Sequence, residues 1–247
     1  MKLVCISDTH NKHWEMPSLP DGDLLLHAGD LTGIGRMSEV QDFAEWAIKQ
    51  APRYTYGIAF IAGNHDRSFD PKFGEYAPED EYKEGPKHKP EWLVSILHNL
   101  KYSTTGVHYL EDSWLKVGGV KIWGSPITPW FHGDRWAFNK HRGSEIAEIW
   151  DEIPSDVNVI MTHGPVAYKL DYIPRTEEYV GCEDLRKKVD SIAPLLHLSG
   201  HIHEGYGVDY NTNTTFVNAS ICNEYYEPGN KPWEIEIDVD NKTVEIL

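Results

Sequence analysis

Aspartate, histidine and asparagine recur in five short blocks, each beside a glycine or just past an apolar run: Asp8-Thr9-His10, Gly29-Asp30, Gly63-Asn64-His65-Asp66, His163-Gly164 and Gly200-His201-Ile202-His203. Their imidazoles, carboxylates and one amide oxygen are the donor mixture that suits borderline divalent ions such as Zn, Mn, Fe or Ni. Two such ions held about 3.5–4 Å apart activate a water and grip a phosphoryl group in line. That geometry requires one bridging carboxylate and a separate set of ligands on either side of it. The chain supplies such a set in order.

Taken singly, the blocks differ in weight. Asp8 and His10 lie two residues apart just past a strand, where both side chains can turn toward the end of a sheet. A solvated turn contains the same types more often. Gly29-Asp30 is by itself an ordinary turn, although Gly29 lets the backbone approach a cation closely. Gly63-Asn64-His65-Asp66 says more, because turns favour Asn and Gly and have no need of a neighbouring His. Asn64 offers a neutral oxygen to one cation, and His65, held by Asp66, is expected to stay protonated and face a phosphate rather than a metal. His201 and His203 share one face of an extended segment, and a hydrogen-bonded histidine pair is the plain alternative there. Five blocks in one order leave coincidence little room.

The elements that must position these blocks are legible from hydrophobic period. Leu3 to Ser7, Asp23 to Ala28 and Gly57 to Ala62 are short apolar runs, each ending at a block. Between the second and third, Ser38 and Gln41 form a capping signal for a helix with Val40, Phe43, Ala44, Ala47 and Ile48 on one side, which makes a β-α-β crossover. From Arg67 to about Pro90 aromatic residues are scattered among charges, prolines and glycines, the composition of a long surface loop and a candidate lid. A helix carrying Trp92, Leu93, Ile96, Leu97 and Leu100 follows, after Pro90.

Strand, tight turn and strand are expected around Gly118-Gly119, and an aromatic, basic loop from Trp130 to Arg142. Helices are expected at Ser144 to Trp150 and Glu183 to Val189, and strands at Val157 to Met161 and Leu195 to Leu198. Thr215 to Val217 and a hairpin from Glu234 to Leu247, turned at Asp240-Asn241, should complete the sheet edge. Trp130, Phe131, Trp136 and Phe138 could stack a nucleobase, with plain loop packing the commoner alternative, and Glu204 and Tyr206, just after the ligand histidines, could either support those ligands or touch substrate. His27 and His197 sit in apolar runs and read as core histidines. His13, His88, His98, His108, His132 and His141 read as surface residues.

The 247 residues, 40% hydrophobic, fit a single domain spanning residues 1–247 with a real core. Lys+Arg 23 against Asp+Glu 39 gives a net charge of -16, which disfavours extended nucleic acid as a partner and leaves small phosphates open. Cys5, Cys182 and Cys222 show no pairing pattern and are expected to be free thiols in a reducing compartment. No apolar run reaches the length of a membrane span, so a cytoplasmic protein without a membrane partner is expected.

The order D-x-H, G-D, G-N-H-D, H-G, G-H-x-H resembles the calcineurin-like metallophosphoesterase superfamily. Further segments, Leu26 to Asp30, Thr128 to Phe131, Met161 to Pro165, Val180 to Cys182, His203 to Gly207 and Asn218 to Ser220, resemble its small metallophosphoesterase-domain-containing proteins, also found in animals. The resemblance implies an α/β fold, a four-layer α/β/β/α sandwich with a dinuclear site at the strand ends. It implies one metal on Asp8, His10, Asp30 and His203 and a second on Asp30, Asn64, His163 and His201, with Asp30 bridging. A hydroxide shared by the metals would attack phosphorus, His65 would stabilise charge or protonate the leaving oxygen, and Asp66 would orient His65. Some relatives carry Gly where this chain has His201, so a competent enzyme is expected here. The implied activity is a phosphodiesterase on small diesters, with 2',3'- or 3',5'-cyclic nucleotides foremost. A phosphomonoesterase or protein phosphatase is the alternative within the enzyme class, and a nucleotide-binding scaffold with an idle site is the alternative outside it.

Overall fold

Runs of four to six branched and aromatic residues are too short for a helical stripe and form strands instead. The computed structural model describes residues 1–73, 89–101 and 106–247. In chain order the elements are β1 (Lys2–Ile6), β2 (Leu24–His27), α1 (Met37–Gln50), β3 (Ile58–Phe60), α2 (Glu91–Lys101), β4 (Val107–Tyr109), β5 (Ser113–Val117) and β6 (Val120–Ser125). There follow β7 (Thr128–Pro129), β8 (Asn139–Lys140), α3 (Ser144–Asp151), β9 (Val159–Thr162), β10 (Tyr172–Ile173) and β11 (Glu178–Tyr179). The last are α4 (Glu183–Ile192), β12 (Leu196–Ser199), β13 (Gly207–Tyr210), β14 (Thr215–Asn218), β15 (Trp233–Asp238) and β16 (Thr243–Ile246).

Two six-stranded sheets result, ordered β16-β15-β1-β2-β3-β4 and β13-β14-β12-β9-β6-β5. In the first, β1 to β4 run parallel, with Leu3 beside Leu24 and Leu26 beside Ala59. In the second, β6, β9, β12 and β14 run parallel. Parallel strands need cover on both faces. Leu3, Cys5, Leu24, Leu26, Ile61 of one sheet and Ile122, Val159, Met161, Leu196, Val217 of the other form the layer between the sheets. Val4, Leu25 and Phe60 face outward with Phe43, Trp46 and Leu93 of the helices, and Ile160 and Phe216 do the same with Ile146, Trp150, Leu185 and Val189. The architecture is the four-layer α/β/β/α sandwich expected. Because the central strands are parallel, the chain leaves β1, β2, β3, β9 and β12 at their carboxyl ends within a few residues of a polar block.

Several local details differ from expectation. The first helix starts at Met37 with Arg36 as cap residue, so Glu39 rather than Gln41 reaches back, accepting from the Arg36 and Ile34 amides at 2.9 and 3.1 Å. Its phase buries Trp46 and exposes Ile48. Arg67–Phe69 forms a 3-10 turn, while the proposed lid, like His88, falls mostly on residues 74–88, outside the described set. The Trp130 to Arg142 loop holds a 3-10 turn at Gly133–Arg135 and ends in the β7–β8 pairing. The Thr215–Asn218 strand is internal, because Gly207–Tyr210 pairs outside it as the edge. His13 is buried, 2.9 Å from Asp42. All three cysteines are free and buried.

Candidate metal centre

Four of the block residues hold a backbone conformation that L-amino acids avoid: φ is +52° at Asp8, +43° at His10, +54° at Asp30 and +67° at His201. Such residues persist where the surroundings over-determine them, and they cluster at functional sites. Glycine supplies the room between blocks. A Cβ at Gly63 would lie 2.2 Å from Asp30 Oδ1, and one at Gly200 would lie 2.0 Å from Asp8 Oδ2.

The side chains converge. His203 Nε2 is 3.4 Å from Asp8 Oδ1 and 3.1 Å from His10 Nε2, and His10 Nε2 is 3.7 Å from Asp30 Oδ2. On the other side His163 Nε2 is 3.0 Å from Asn64 Oδ1 and 3.3 Å from Asp30 Oδ1. Three groups bring their donor atoms within 4.8 Å of one another: Asp8, His10 and His203; His10, Asp30 and His65; Asp30, His163 and His201. Asp30 belongs to two of the groups, on either side of the centre.

Outer hydrogen bonds fix which atoms face inward. His163 Nδ1 pairs with the Ala28 carbonyl at 2.9 Å and His203 Nδ1 with the Asn223 carbonyl at 2.8 Å, so both rings donate outward and turn Nε2 toward the centre. This backbone support is usual for metal-ligating histidines. Asp8 accepts from the His201 amide at 2.9 Å and from Ser220 Oγ at 2.8 Å. His10 differs, its buried Nδ1 having no partner among the described residues.

Without a cation these inward atoms conflict, since an imidazole lone pair meets an amide oxygen and a carboxylate. Protonation is the metal-free remedy. Burial opposes the charge on His163, but Asp30, by its charge and its hydrogen bond, raises the ring to about 9. Burial likewise opposes charge on Asp8 and Asp30, yet His203 holds the first, and His163 with His65 the second, below the usual carboxylate range. Burial drives His10 and His201 down to about 3, leaving them neutral and able to ligate. The donor set fits divalent cations.

Asn64, His163 and His201 lie on one side of Asp30, and His10, His203 and Asp8 on the other. His65 joins the Asp30 side through its amide, which donates to Asp30 Oδ1 at 2.8 Å. Asp66 does not orient the His65 ring directly. Its carboxylate accepts from the Leu31, Thr32 and Gly63 amides and from Thr32 Oγ1, at 2.6 to 3.1 Å, while His65 Nδ1 pairs with the Gly33 carbonyl at 2.6 Å. Asp66 therefore ties two loops together, and the ring is held by one of them. Burial and the nearby Asp30 charge raise Asp66 to about 7.

The expected substrate contacts are spread around the rim. Phe131 meets His201 edge-on at 5.0 Å, whereas Trp130 stacks on His141 and Phe138 is buried. Tyr206 stacks on Trp233 and donates to the Lys231 carbonyl at 2.9 Å; Glu204 is exposed. Sequence reasoning missed Ser220, Asn223 and Tyr226, which sit in a stretch with no block pattern. The one available signal was Asn218-Ala219-Ser220, read as resemblance only.

The sandwich and its converging histidines and carboxylates define a metal-dependent phosphoester-hydrolase class. Residues 1–205 match the calcineurin-like phosphoesterase family, and the chain belongs to it. Metallophosphoesterase domain-containing protein 1 of Homo sapiens and of Mus musculus are each 42% identical over 240 residues, 96% of this chain and 71% of theirs. Phosphopantetheinyl hydrolase from Mycobacterium tuberculosis shares the fold at a TM-score of 0.54 and 16% identity, covering 89% of this chain and 88% of that one.

Proposed function

We propose that the protein is a metal-dependent phosphodiesterase acting on small phosphate diesters, with 2',3'- or 3',5'-cyclic nucleotides as the natural class. The observation that carries the reading is the convergence of donor atoms around Asp30, with His163 Nε2 3.0 Å from Asn64 Oδ1 and 3.3 Å from Asp30 Oδ1. Asp8, His10, Asp30 and His203 would hold one cation, and Asp30, Asn64, His163 and His201 the other, drawn from Mn, Fe, Zn or Ni. Bound there, the pair would supply an acidified water and neutralise charge on the phosphoryl oxygens.

The chain's own residues do the rest. The Ala28 and Asn223 carbonyls keep His163 and His203 in the ligating tautomer. With Nδ1 donating to Gly33, His65 carries a proton on Nε2 only as the imidazolium, the form that can donate to the leaving oxygen and steady its charge. Asp66, through Thr32 and Gly63, holds the loop that presents the Gly33 carbonyl.

Family likeness suggests a diester, and the charges at the rim support that reading. Two cationic side chains of the rim are turned to other tasks, Lys12 Nζ to the Tyr226 carbonyl at 2.5 Å and Arg67 over the Trp136 ring at 4.9 Å. A monoester dianion needs more such neutralisation than a diester monoanion. The test is a screen of Mn-loaded protein on cyclic nucleotides, bis-p-nitrophenyl phosphate and p-nitrophenyl phosphate. Faster turnover of the diesters is expected; a faster monoester at saturating metal makes phosphomonoesterase the better reading.

A further inference from the structure

His65 has an aromatic ring on two sides of its contact set, one from each of two loops. Its ring centroid is 4.3 Å from that of Trp136, tilted by 32°, and 6.0 Å from that of Tyr226. The two walls come from loops far apart in sequence, and each is fixed from behind. Trp136 lies near-parallel to Phe131, at 6.3 Å and 15°, under the Arg67 guanidinium. Asn139 Nδ2 braces that loop by donating to the Phe131 and Gly133 carbonyls at 3.2 and 3.5 Å.

Tyr226 belongs to a turn built on Asn223, whose Oδ1 accepts from the Tyr225 and Glu227 amides at 2.9 and 3.0 Å. The Asn223 carbonyl accepts both the Tyr226 amide and His203 Nδ1, each at 2.8 Å. One turn therefore fixes a ligand ring and places Tyr226, which also meets His10 edge-on at 4.7 Å and His203 at 5.2 Å. Its φ of +61° is strained for a bulky residue. The side chain remains 43% exposed, and its hydroxyl, unlike those of Tyr54 and Tyr206, has no hydrogen-bond partner among the described residues.

We infer that Trp136 and Tyr226 are the walls of a leaving-group subsite that selects phosphate esters whose departing group presents a flat, apolar face. The inference rests on the hydrolase reading above. If His65 serves the departing oxygen, the group attached to that oxygen lies on the side of His65 that these two rings flank. Aromatic walls gain most from a planar partner, and inorganic phosphate offers them nothing.

The test compares metal-loaded wild type with Trp136→Ala, Tyr226→Phe and Tyr226→Gly on bis-p-nitrophenyl phosphate, with inorganic phosphate as inhibitor. Glycine at 226 removes the ring while relieving the left-handed backbone, so the variant should fold. KM should rise roughly tenfold in Trp136→Ala and Tyr226→Gly, the worth of one aromatic contact, and Tyr226→Phe should fall between Tyr226→Gly and wild type. The phosphate inhibition constant should stay within about twofold. A wild-type KM in both Trp136→Ala and Tyr226→Gly overturns the subsite. So does a phosphate constant that rises in step with KM, because Tyr226 would then act only by holding His203. Failure of metal-loaded wild type to turn over any ester would remove the hydrolase reading and this inference with it.

Discussion

The floor of the centre and its rim are built on different principles. On the floor, Asp8, Asp30, Asn64 and His163 are almost wholly buried, their positions set by strand ends, backbone amides and a strained main chain. At the rim, Trp130, Phe131, Trp136, Glu204, Tyr206 and Tyr226 come from irregular segments; Trp130 and Tyr206 rest on His141 and Trp233, while Phe131, Trp136 and Tyr226 lie against the histidines of the centre. Donor atoms that tolerate little displacement are set by the sheets, whereas the loops around them can vary without disturbing those positions.

Substitutions at floor and rim should therefore differ in size and kind. Asp30→Ala should reduce turnover to background, because the carboxylate shared by both groups of donors is lost. Turnover that survives at excess Mn would break the distinction at its strongest point. His65→Ala should slow turnover roughly 10²- to 10⁴-fold while both metals stay bound. The loss should be larger for a cyclic nucleotide, which releases an alkoxide, than for a p-nitrophenyl ester; loss of a metal would instead make His65 a ligand, as its place beside His10 and Asp30 permits.

His201→Gly should weaken the second metal more than the first, with activity recovering at high Mn and the melting temperature unchanged. Wild-type turnover at limiting Mn would contradict the assignment. Behind the floor, burial pushes His197 down to about 3. It is neutral when folded and titrates near 6.5 unfolded, so its contribution is complete above about pH 6.5 and falls by roughly 1.4 kcal/mol per pH unit from there toward pH 3. His197→Gln should flatten the acid limb of melting temperature against pH, and parallel limbs would refute this. At the rim, Trp130→Ala and Tyr206→Phe should change turnover less than about twofold, since one ring rests on His141 and the other on Trp233; a tenfold loss would move them into the substrate site.

The same division decides what the sequence discloses. Asp8, Asp30, His163 and His203 could be found from residue type and order, because their strands end where the apolar runs end. Four layers could not be read from period alone, since buried parallel strands show no alternation; that expectation came from resemblance. Asp66 was placed on the wrong partner because its donors, the Leu31 and Thr32 amides, are brought near by the crossover, not by sequence. His13 was misread for a similar reason, its partner Asp42 lying on the first helix. Tyr226 carried no signal at all: its role depends on a turn whose anchor, Asn223, is meaningful only beside His203.

The central claim is that a pair of cations shares Asp30, and metal content tests it most directly. Wild-type and Asp30→Ala protein, reloaded with Mn, desalted and measured by elemental analysis, should give two ions per chain in the first and essentially none in the second. One ion or none in the wild type, or two retained in Asp30→Ala, would contradict the account.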